Sequence, residues 1–461
     1  MSEQYTDFWG CHHICKKKIS EGGQGAVYRT QSPNIAIKIA KNDQGVIQNE
    51  SLNPGYNMIR LLPIPRDLHI TLPLAVLEGI SGYVMALLDD MSSFESVFLE
   101  AETPEDFTTP WLAEMSGNPE FVDELRRYIS SGGRRRRVEA FYKCACILAR
   151  LHGIGLVYCD ISGNNLFIST NKAYSEIWLI DADNINWGTE CAQQAGFQTP
   201  GYGAPEILKG HGNSCYSDCY SFAILLFQVL YGVHPFEGEG AYDKDGDFQE
   251  ELRDCGELPW IFDEDDDSNR GEDNIPYEYL ISRPLDRLFQ QTFSAKGRRY
   301  PQRRPSMAEW AWFLGKELDA TVHCSYCGMD YNAMEMEKCP WCDRKPAIIR
   351  INSFLEEERT SPFWTIMHEL DLNSSIQVPM RLACGVRTED KDQTLFCIMR
   401  SSTEKHQIKL RDFHEDWKFS VLETGEELYT EVVLPDKCCL KCEKDSETIW
   451  IEVDFNETER S

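Results

Sequence analysis

His152-Gly153-Ile154-Gly155-Leu156-Val157-Tyr158-Cys159-Asp160, running directly into Ile161-Ser162-Gly163-Asn164-Asn165-Leu166-Phe167-Ile168, is the stretch on which the reading of this chain turns. A helical period from Val138 to Leu151 leads into it, and the run Trp178-Leu179-Ile180-Asp181-Ala182-Asp183 follows it. Taken singly, each aspartate is more often a turn residue or a helix cap. Taken together they meet a specific chemical need. Phosphoryl transfer requires one carboxylate near the attacking hydroxyl, a second carboxylate on Mg²⁺, and a neutral oxygen donor to complete the metal shell. Asp160, Asp181 and Asn165 supply these three groups.

Upstream lies Ser20-Glu21-Gly22-Gly23-Gln24-Gly25-Ala26-Val27-Tyr28, and then Ile35-Ala36-Ile37-Lys38. Glycines let a hairpin fold tightly over phosphates, because a Cβ would block the approach of the backbone. A lone glycine-rich loop is usually a plain turn. Lys38, however, ends an apolar strand, where burial is costly unless the ammonium meets anions. Glu50 is the one glutamate between Lys38 and Arg60, which makes it the default partner, although Pro54 and Gly55 cut its helix short. Downstream, Gln198-Thr199-Pro200-Gly201-Tyr202-Gly203-Ala204-Pro205-Glu206 precedes Ser217-Asp218-Cys219-Tyr220-Ser221-Phe222, the opening of a buried apolar helix, and Arg304-Pro305 lies far beyond.

In this order the six elements resemble the eukaryotic-like protein kinase superfamily, over roughly Cys15 to Glu317. The resemblance implies an α+β, two-lobed protein-kinase fold with ATP in the cleft, followed here by a zinc ribbon and a C-terminal β-rich, sandwich-like domain. It implies that Lys38 pairs with the α- and β-phosphates and with Glu50, that Gly22, Gly23 and Gly25 cover the phosphates, and that Asp160 is the base. Asn165 and Asp181 would hold Mg²⁺. Val27 and Ala36 would roof the adenine and Phe167 floor it, with Met85 as gatekeeper, Ala86 to Leu88 as hinge and Ile180 beneath the nucleotide. Glu206 and Arg304 would form a buried ion pair, and Asp218 would brace the catalytic loop. The intact Ala204-Pro205-Glu206 favours a protein substrate, with the Ser/Thr class expected.

The match has departures. Ser20 stands where the first loop glycine usually is, and Tyr158-Cys159-Asp160 replaces His-Arg-Asp. Without arginine at 159, a phosphorylated activation loop has lost its usual charge partner. Ser162 replaces the lysine of many Ser/Thr kinases, and Asp181-Ala182-Asp183 replaces Asp-Phe-Gly. Two alternatives to an active protein kinase stay open at this point: a nucleotide-binding pseudokinase scaffold, and a small-molecule phosphotransferase of the same fold. The Leu179-Ile180-Asp181-Ala182-Asp183-Asn184 run resembles bacterial kinases with a C-terminal zinc ribbon. Some of these occur with a von Willebrand A-domain protein and a metal-dependent phosphatase in tellurite-resistance-type phosphorylation triads, which implies a role in signalling or stress defence and such proteins as partners.

Cys324-Ser325-Tyr326-Cys327 and Cys339-Pro340-Trp341-Cys342 are two Cys-x-x-Cys pairs, eleven residues apart. Four thiolates close a tetrahedral Zn²⁺ with no open position, so the expected zinc is structural. The segment 320–348 is too short for a core of its own. Cys438-Cys439-Leu440-Lys441-Cys442 and Cys11-His12-His13-Ile14-Cys15 lack a second pair at a useful distance and read as ordinary thiols and surface. Arg134 to Arg137 reads as a solvated helix start. From Ile349 the texture alternates: Ile376, Val378, Met380 and Leu382 are expected on one strand face, and Ile449, Ile451, Val453 and Phe455 on another. The expected domains are thus 1–319 (lobes meeting near 88), 320–348 and 349–461.

The 461 residues carry a formal charge of −29, which argues against a nucleic-acid binder. Eighteen cysteines with no secretory signal in Met1 to Lys18 point to a reducing, cytoplasmic setting. The longest apolar run, Ala223 to Val233, is too short to span a bilayer.

Overall fold

The structure, a computed structural model, describes residues 3–22, 25–42, 44–102, 119–191, 196–243, 245–271, 275–370, 375–400 and 407–456. Gly23 and most of the stretch 101–118 lie outside them. The chain divides into two compact units. The first comprises 1–101, 143–272 and 288–307; the second comprises 102–142, 273–287 and 308–461.

In the first unit, six antiparallel strands form a sheet in the order β1-β2-β3-β4-β6-β5. They are β1 (Gln4–Thr6), β2 (His12–Gly22), β3 (Gly25–Thr30), β4 (Ile35–Ala40), β5 (Ala75–Val76) and β6 (Gly82–Ala86). β4 is central, which explains its near-continuous apolar sequence: Ala36, Ile37, Ile39 and Ala40 are at most 1% exposed. Ile37 and Ile39 pack with Cys15, Ala75, Leu77 and Val84. Lys38 points to the other face of the sheet, as the period of two requires. Helix α1 (Asn53–Arg60) opens with Pro54 in its first turn, where the missing N–H costs nothing. Its Tyr56 packs edge-on against Tyr83 of β6, 4.9 Å between centroids.

The rest of the first unit is mainly helical. The helix Cys215–Tyr231 starts on a Ser214/Ser217 capping box and ends at Gly232, whose φ of 94° suits a residue without Cβ. Thirteen of its residues are buried all round the axis, as expected of a core helix. Phe227 meets Trp260, Phe289 and Phe293 in one aromatic cluster. Arg304 holds Glu206 through two 2.7 Å hydrogen bonds, the fork geometry that makes such a buried pair worthwhile. Short strands Leu156–Val157 and Asn186–Trp187 pair, and Leu166–Ser169 pairs with both Ile177–Leu179 and Met91–Ser93. Among the described residues no helix is long and apolar enough to cross a membrane.

The second unit is dominated by two antiparallel sheets. One has six strands: Trp364–Glu369, Ile348–Phe354, Glu447–Asn456, Lys437–Lys444, Lys418–Val421 and Glu427–Leu428. The other has four: Ser375–Pro379, Thr394–Arg400, Gln407–Arg411 and Val432–Pro435. Their inward residues form one apolar cluster, which includes Ile351, Val378, Ile398, Leu410, Leu440 and Ile451. Ile449, Ile451, Val453 and Phe455 share a buried face as expected.

Two expectations need correction here. Met380 and Leu382 are buried but lie outside the strand, which ends at Pro379 after a register break; Arg381–Cys384 is a helical turn. The turn exists because Arg381 is drawn inward. Its guanidinium grips Asp319 at 2.5 and 2.7 Å and reaches Asp392 at 2.7 Å. The second correction concerns the run Arg134 to Arg137: Arg135 is half-buried, and Arg134, Arg136 and Arg137 are at most 6% exposed. Arg134 pairs with Glu317 and donates to Thr321 Oγ1 at 2.6 Å and to the Leu280 carbonyl at 3.0 Å. Arg137 stacks on Tyr128, 4.0 Å from the ring centroid. A run of like charges reads as a surface only until each member finds its own buried acceptor.

Asp319 accepts hydrogen bonds from Arg381 and from the Trp364 indole, at 2.7 Å, and is nearly inaccessible. Replacing it with alanine leaves a buried guanidinium without its main partner. The expected loss is about 3 kcal/mol or more of stability in the second unit, read as a lower denaturant midpoint for its unfolding. An Asp319→Ala variant that unfolds with the unaltered chain would contradict this account.

Candidate active site and cysteine cluster

A cavity of about 660 Å³ lies in the first unit between the six-stranded sheet and the segments after the helix Gly133–Gly153. That volume is in the range of sites that enclose a nucleotide-sized ligand. Its walls include Gly25, Val27, Ala36, Met85, Ala86, Leu88, Phe167 and Ile180, and Lys38, Asp160, Asn165 and Asp181 share it. Residues scattered over 157 positions of sequence, from Gly25 to Asp181, thus face one space. Gly25 sits where any Cβ would lie 2.3 Å from the Ile39 carbonyl oxygen, so the approach of β3 to β4 requires glycine there. Gly22 closes the described end of β2, opposite Gly25.

The loop that leads into Asp160 is anchored by a buried carboxylate. Asp218 accepts the backbone N–H groups of Tyr158 (2.8 Å) and Cys159 (3.0 Å), and His152 Nε2 lies 2.9 Å from it. Tyr158 in turn donates its hydroxyl to the Ile180 carbonyl, tying this loop to the next segment. Cys159 (φ 73°) and Asp181 (φ 59°) both occupy the left-handed region that non-glycine residues avoid; the first precedes Asp160, and the second is itself one of the cavity's acids. Such strain persists where surrounding contacts impose it.

Asp160 accepts from Thr199 Oγ1 at 2.6 Å and from Asn165 Nδ2 at 2.7 Å. Burial pushes its carboxyl up, while the Thr199 hydrogen bond pulls the other way. The Asn165 amide nitrogen is thereby committed to Asp160, which leaves its amide oxygen as the free donor atom toward a cation. Thr199 was not singled out from the sequence. It lies within a segment read as scaffold, and nothing short of the folded geometry brings it to Asp160.

Lys38 is 6% exposed. Its ammonium contacts Asp181 and lies 2.6 Å from Asp183 Oδ2. Burial pulls its pKa down, and the charges of Asp183 and Asp181 more than offset that, so the ammonium stays charged well into the alkaline range. Glu50 does not take part, which corrects the sequence expectation. It is exposed in a short turn before α1 and accepts the Gly79 N–H. The physical reason is local: Pro54 starts a new helix after Glu50, and the eight residues of α1 contain no acid.

In the second unit, Cys324, Cys327, Cys339 and Cys342 bring their Sγ atoms within 4.8 Å of one another. Each pair sits on a similar turn. Gly328 N–H donates to the Cys324 carbonyl at 2.8 Å, and Asp343 N–H donates to the Cys339 carbonyl at 2.9 Å. Gly328 and Asp343 both have positive φ, at 75° and 56°. Strands Thr321–His323 and Asp330–Asn332 carry the first turn. Four soft sulfur donors at this spacing are compatible with zinc. Among the described residues, no other group of this kind was found: Cys438 and Cys442 face the sheet core, and His13 pairs with Asp7 at 2.8 Å.

The loop support gives a direct test. Asp218→Ala orphans two buried N–H groups, each costing about 1–3 kcal/mol. The expected result is faster hydrogen exchange at the Tyr158 and Cys159 amides and a lower thermal midpoint. Unchanged exchange at those two amides would show that Asp218 is not what holds the loop.

Comparison with known proteins agrees with this geometry. Residues 111–311 match the family model described as protein kinase domain. The match begins after the glycine-rich loop and Lys38. The chain is similar to the protein kinase C delta type of Rattus norvegicus, 32% identical over 152 residues, which is 31% of this chain and 21% of that protein. It is similar to the probable serine/threonine-protein kinase 2 of Plasmodium falciparum, 29% identical over 118 residues, 25% of this chain and 23% of that one. It is also similar to the receptor kinase-like protein Xa21 of Oryza sativa subsp. japonica, 33% identical over 108 residues, 22% and 10% of the two chains. The chain spans about a fifth of the length of the first of these curated relatives. The matched segment, residues 111–311, is thus similar to a protein kinase domain, and it supplies Asp160, Asn165 and Asp181 to the cavity.

Proposed function

We propose that this chain transfers the γ-phosphoryl group of ATP to serine or threonine hydroxyls of proteins, itself and partner proteins included. The observation that carries the reading is the convergence of Lys38, Asp160, Asn165 and Asp181 on one cavity. The hydroxyl preference rests on the similarity to serine/threonine kinases. In this reading, Asp160 accepts the proton of the attacking hydroxyl, and Thr199 and Asn165 hold its carboxylate in place. Lys38 binds the α- and β-phosphate oxygens. Asp181 and the amide oxygen of Asn165 are the groups that would hold Mg²⁺. Bound there, the metal neutralises charge that develops on the transferred group. The apolar walls at Val27, Ala36, Phe167 and Ile180 take the base, and the backbone of Ala86 to Leu88 its edge.

The proposed division is a kinase domain over 1–319, a zinc ribbon over 320–348, and a β-rich interaction module over 349–461. The four sulfurs hold a structural Zn²⁺ in this reading, because the set is complete without water and leaves no position for a substrate. The finer proposal is a bacterial, cytoplasmic signalling or stress-defence kinase. Its partners would be a von Willebrand A-domain protein and a metal-dependent phosphatase. The Leu179 to Asn184 run and the domain order support it.

Purified full-length chain incubated with [γ-³²P]ATP and Mg²⁺ should incorporate label into serine or threonine. Asp160→Asn should lower the rate by about 10²-fold or more, and Asp181→Ala should abolish it. Equal labelling from the Asp181→Ala protein would remove the catalytic claim and leave a nucleotide-binding scaffold. For the cysteine cluster, elemental analysis should find about one zinc per chain, lost in a Cys339→Ser variant. Chelation should then expose the strands Thr321–His323 and Asp330–Asn332 to proteolysis, because metal binding and folding of so small a segment are one process. A chain that is metal-free and still protected there would refute the zinc assignment.

A further inference from the structure

We propose that Asp183, not a glutamate from the region of α1, is the standing carboxylate partner of Lys38. It is a positioning residue that holds the ammonium while Asp181 is committed to the metal. The inference rests on the phosphotransfer reading above and adds a residue to it.

Four observations carry it. First, α1 offers no acid: its sequence is Asn-Pro-Gly-Tyr-Asn-Met-Ile-Arg, and Glu50 lies in the preceding turn, bonded to Gly79. Second, Asp183 Oδ2 stands 2.6 Å from Lys38 Nζ. Third, the two acids that meet this ammonium face different spaces. Asp181 lines the nucleotide-sized cavity; Asp183 is absent from its walls. Asp183 instead lines a separate cavity of about 430 Å³, together with Gly55, Met58 and Ile59 of α1. Fourth, the Asp183 side chain is 11% exposed and that of Asp181 is 25% exposed.

The division of labour follows from charge. A buried ammonium needs a compensating carboxylate at all times. If Asp181 is the group that turns to a cation in the cleft, Lys38 keeps its balance only through a second acid that stays behind. Asp183 is buried away from the cleft and does this. The turn Ala182–Asn184, entered through the left-handed Asp181, is what sets the two carboxylates on one ammonium. A consequence is that the lysine's partner travels with the metal ligand on one short segment. Helix α1 packs against that turn and supports it by shape, without contributing a charge.

The test compares full-length unaltered protein with Asp183→Asn, Asp183→Glu and Glu50→Gln. Three quantities are read: affinity for a fluorescent ATP analogue with Mg²⁺, the single-turnover rate of phosphate transfer, and the rate at which an amine-reactive adenosine analogue labels Lys38. Glu50→Gln should stay within about twofold of the unaltered chain, because an exposed residue off the site contributes little. Asp183→Asn should lose on the order of 10²-fold in transfer rate, the scale set by a misplaced reacting group, and should label Lys38 at a changed rate. Asp183→Glu should recover part of both. Loss on Glu50→Gln with Asp183→Asn unaffected would overturn the proposal. So would an Asp183→Asn defect that matches its loss of thermal stability and is not rescued by glutamate. If the unaltered chain binds nucleotide and transfers phosphate while Asp183→Asn does the same, only this inference falls. If the unaltered chain neither binds nor transfers, the phosphotransfer reading falls and takes this one with it.

Discussion

The site depends on a single buried ammonium. Lys38 sits on the middle strand of a sheet, in a sequence that is otherwise apolar, and an unpaired charge there would cost several kcal/mol, a large share of what a domain's fold contributes. Its carboxylates come from a segment more than 140 residues away, Asp181 and Asp183. Pairing them brings the sheet and the helical part of the first unit together around a shared cavity. The same contact explains why the cleft is negative and hydrogen-bonded at one end and apolar at the other.

The supports beneath this site are of a different kind. They position backbone rather than charge. Asp218 organises the loop through two amides, Tyr158 bridges to Ile180, and Arg304 with Glu206 secures the segment that carries Thr199. Cys159, beside Asp160, is buried and stands in the left-handed conformation. Thr199 already holds Asp160 through its hydroxyl, in a segment tied down by other contacts. The Asp160 carboxylate is therefore held by two neutral donors, the Thr199 hydroxyl and the Asn165 amide.

The second unit shows how burial reverses a surface reading. Arg134, Arg137 and Arg381 are all largely inaccessible, and each is satisfied by a particular acceptor set: Glu317 with Thr321, the Tyr128 carbonyl with Ser131, and Asp319 with Asp392. Buried guanidinium groups are tolerable when their forked donors are filled, and their partners here lie on other elements. The same pull explains why the strand Ser375–Pro379 stops early. A period of two in the sequence continued through Leu382, but Arg381 found Asp319 and bent the chain into a turn.

What the sequence alone determined was set by local chemistry and by order. Alternation identified the strands around Ile376 and Ile451, a run of apolar residues from Ser217 onward identified the buried helix, and Cys-x-x-Cys spacing identified the cluster of four sulfurs. Lys38, Asp160, Asn165 and Asp181 stood out in the sequence because their order fits the groups that phosphoryl transfer needs, and the fold brings all four to one cavity. What only the tertiary structure decided was pairing. Glu50 looked like the partner of Lys38 because it was the nearest glutamate in sequence, and Asp183 took that place because the turn after Asp181 delivers a second carboxylate to the same ammonium. Thr199 and the buried arginines escaped for the same reason. A side chain's partner is fixed by distance through space and by the cost of leaving a buried charge unmet, and neither quantity is written along the chain.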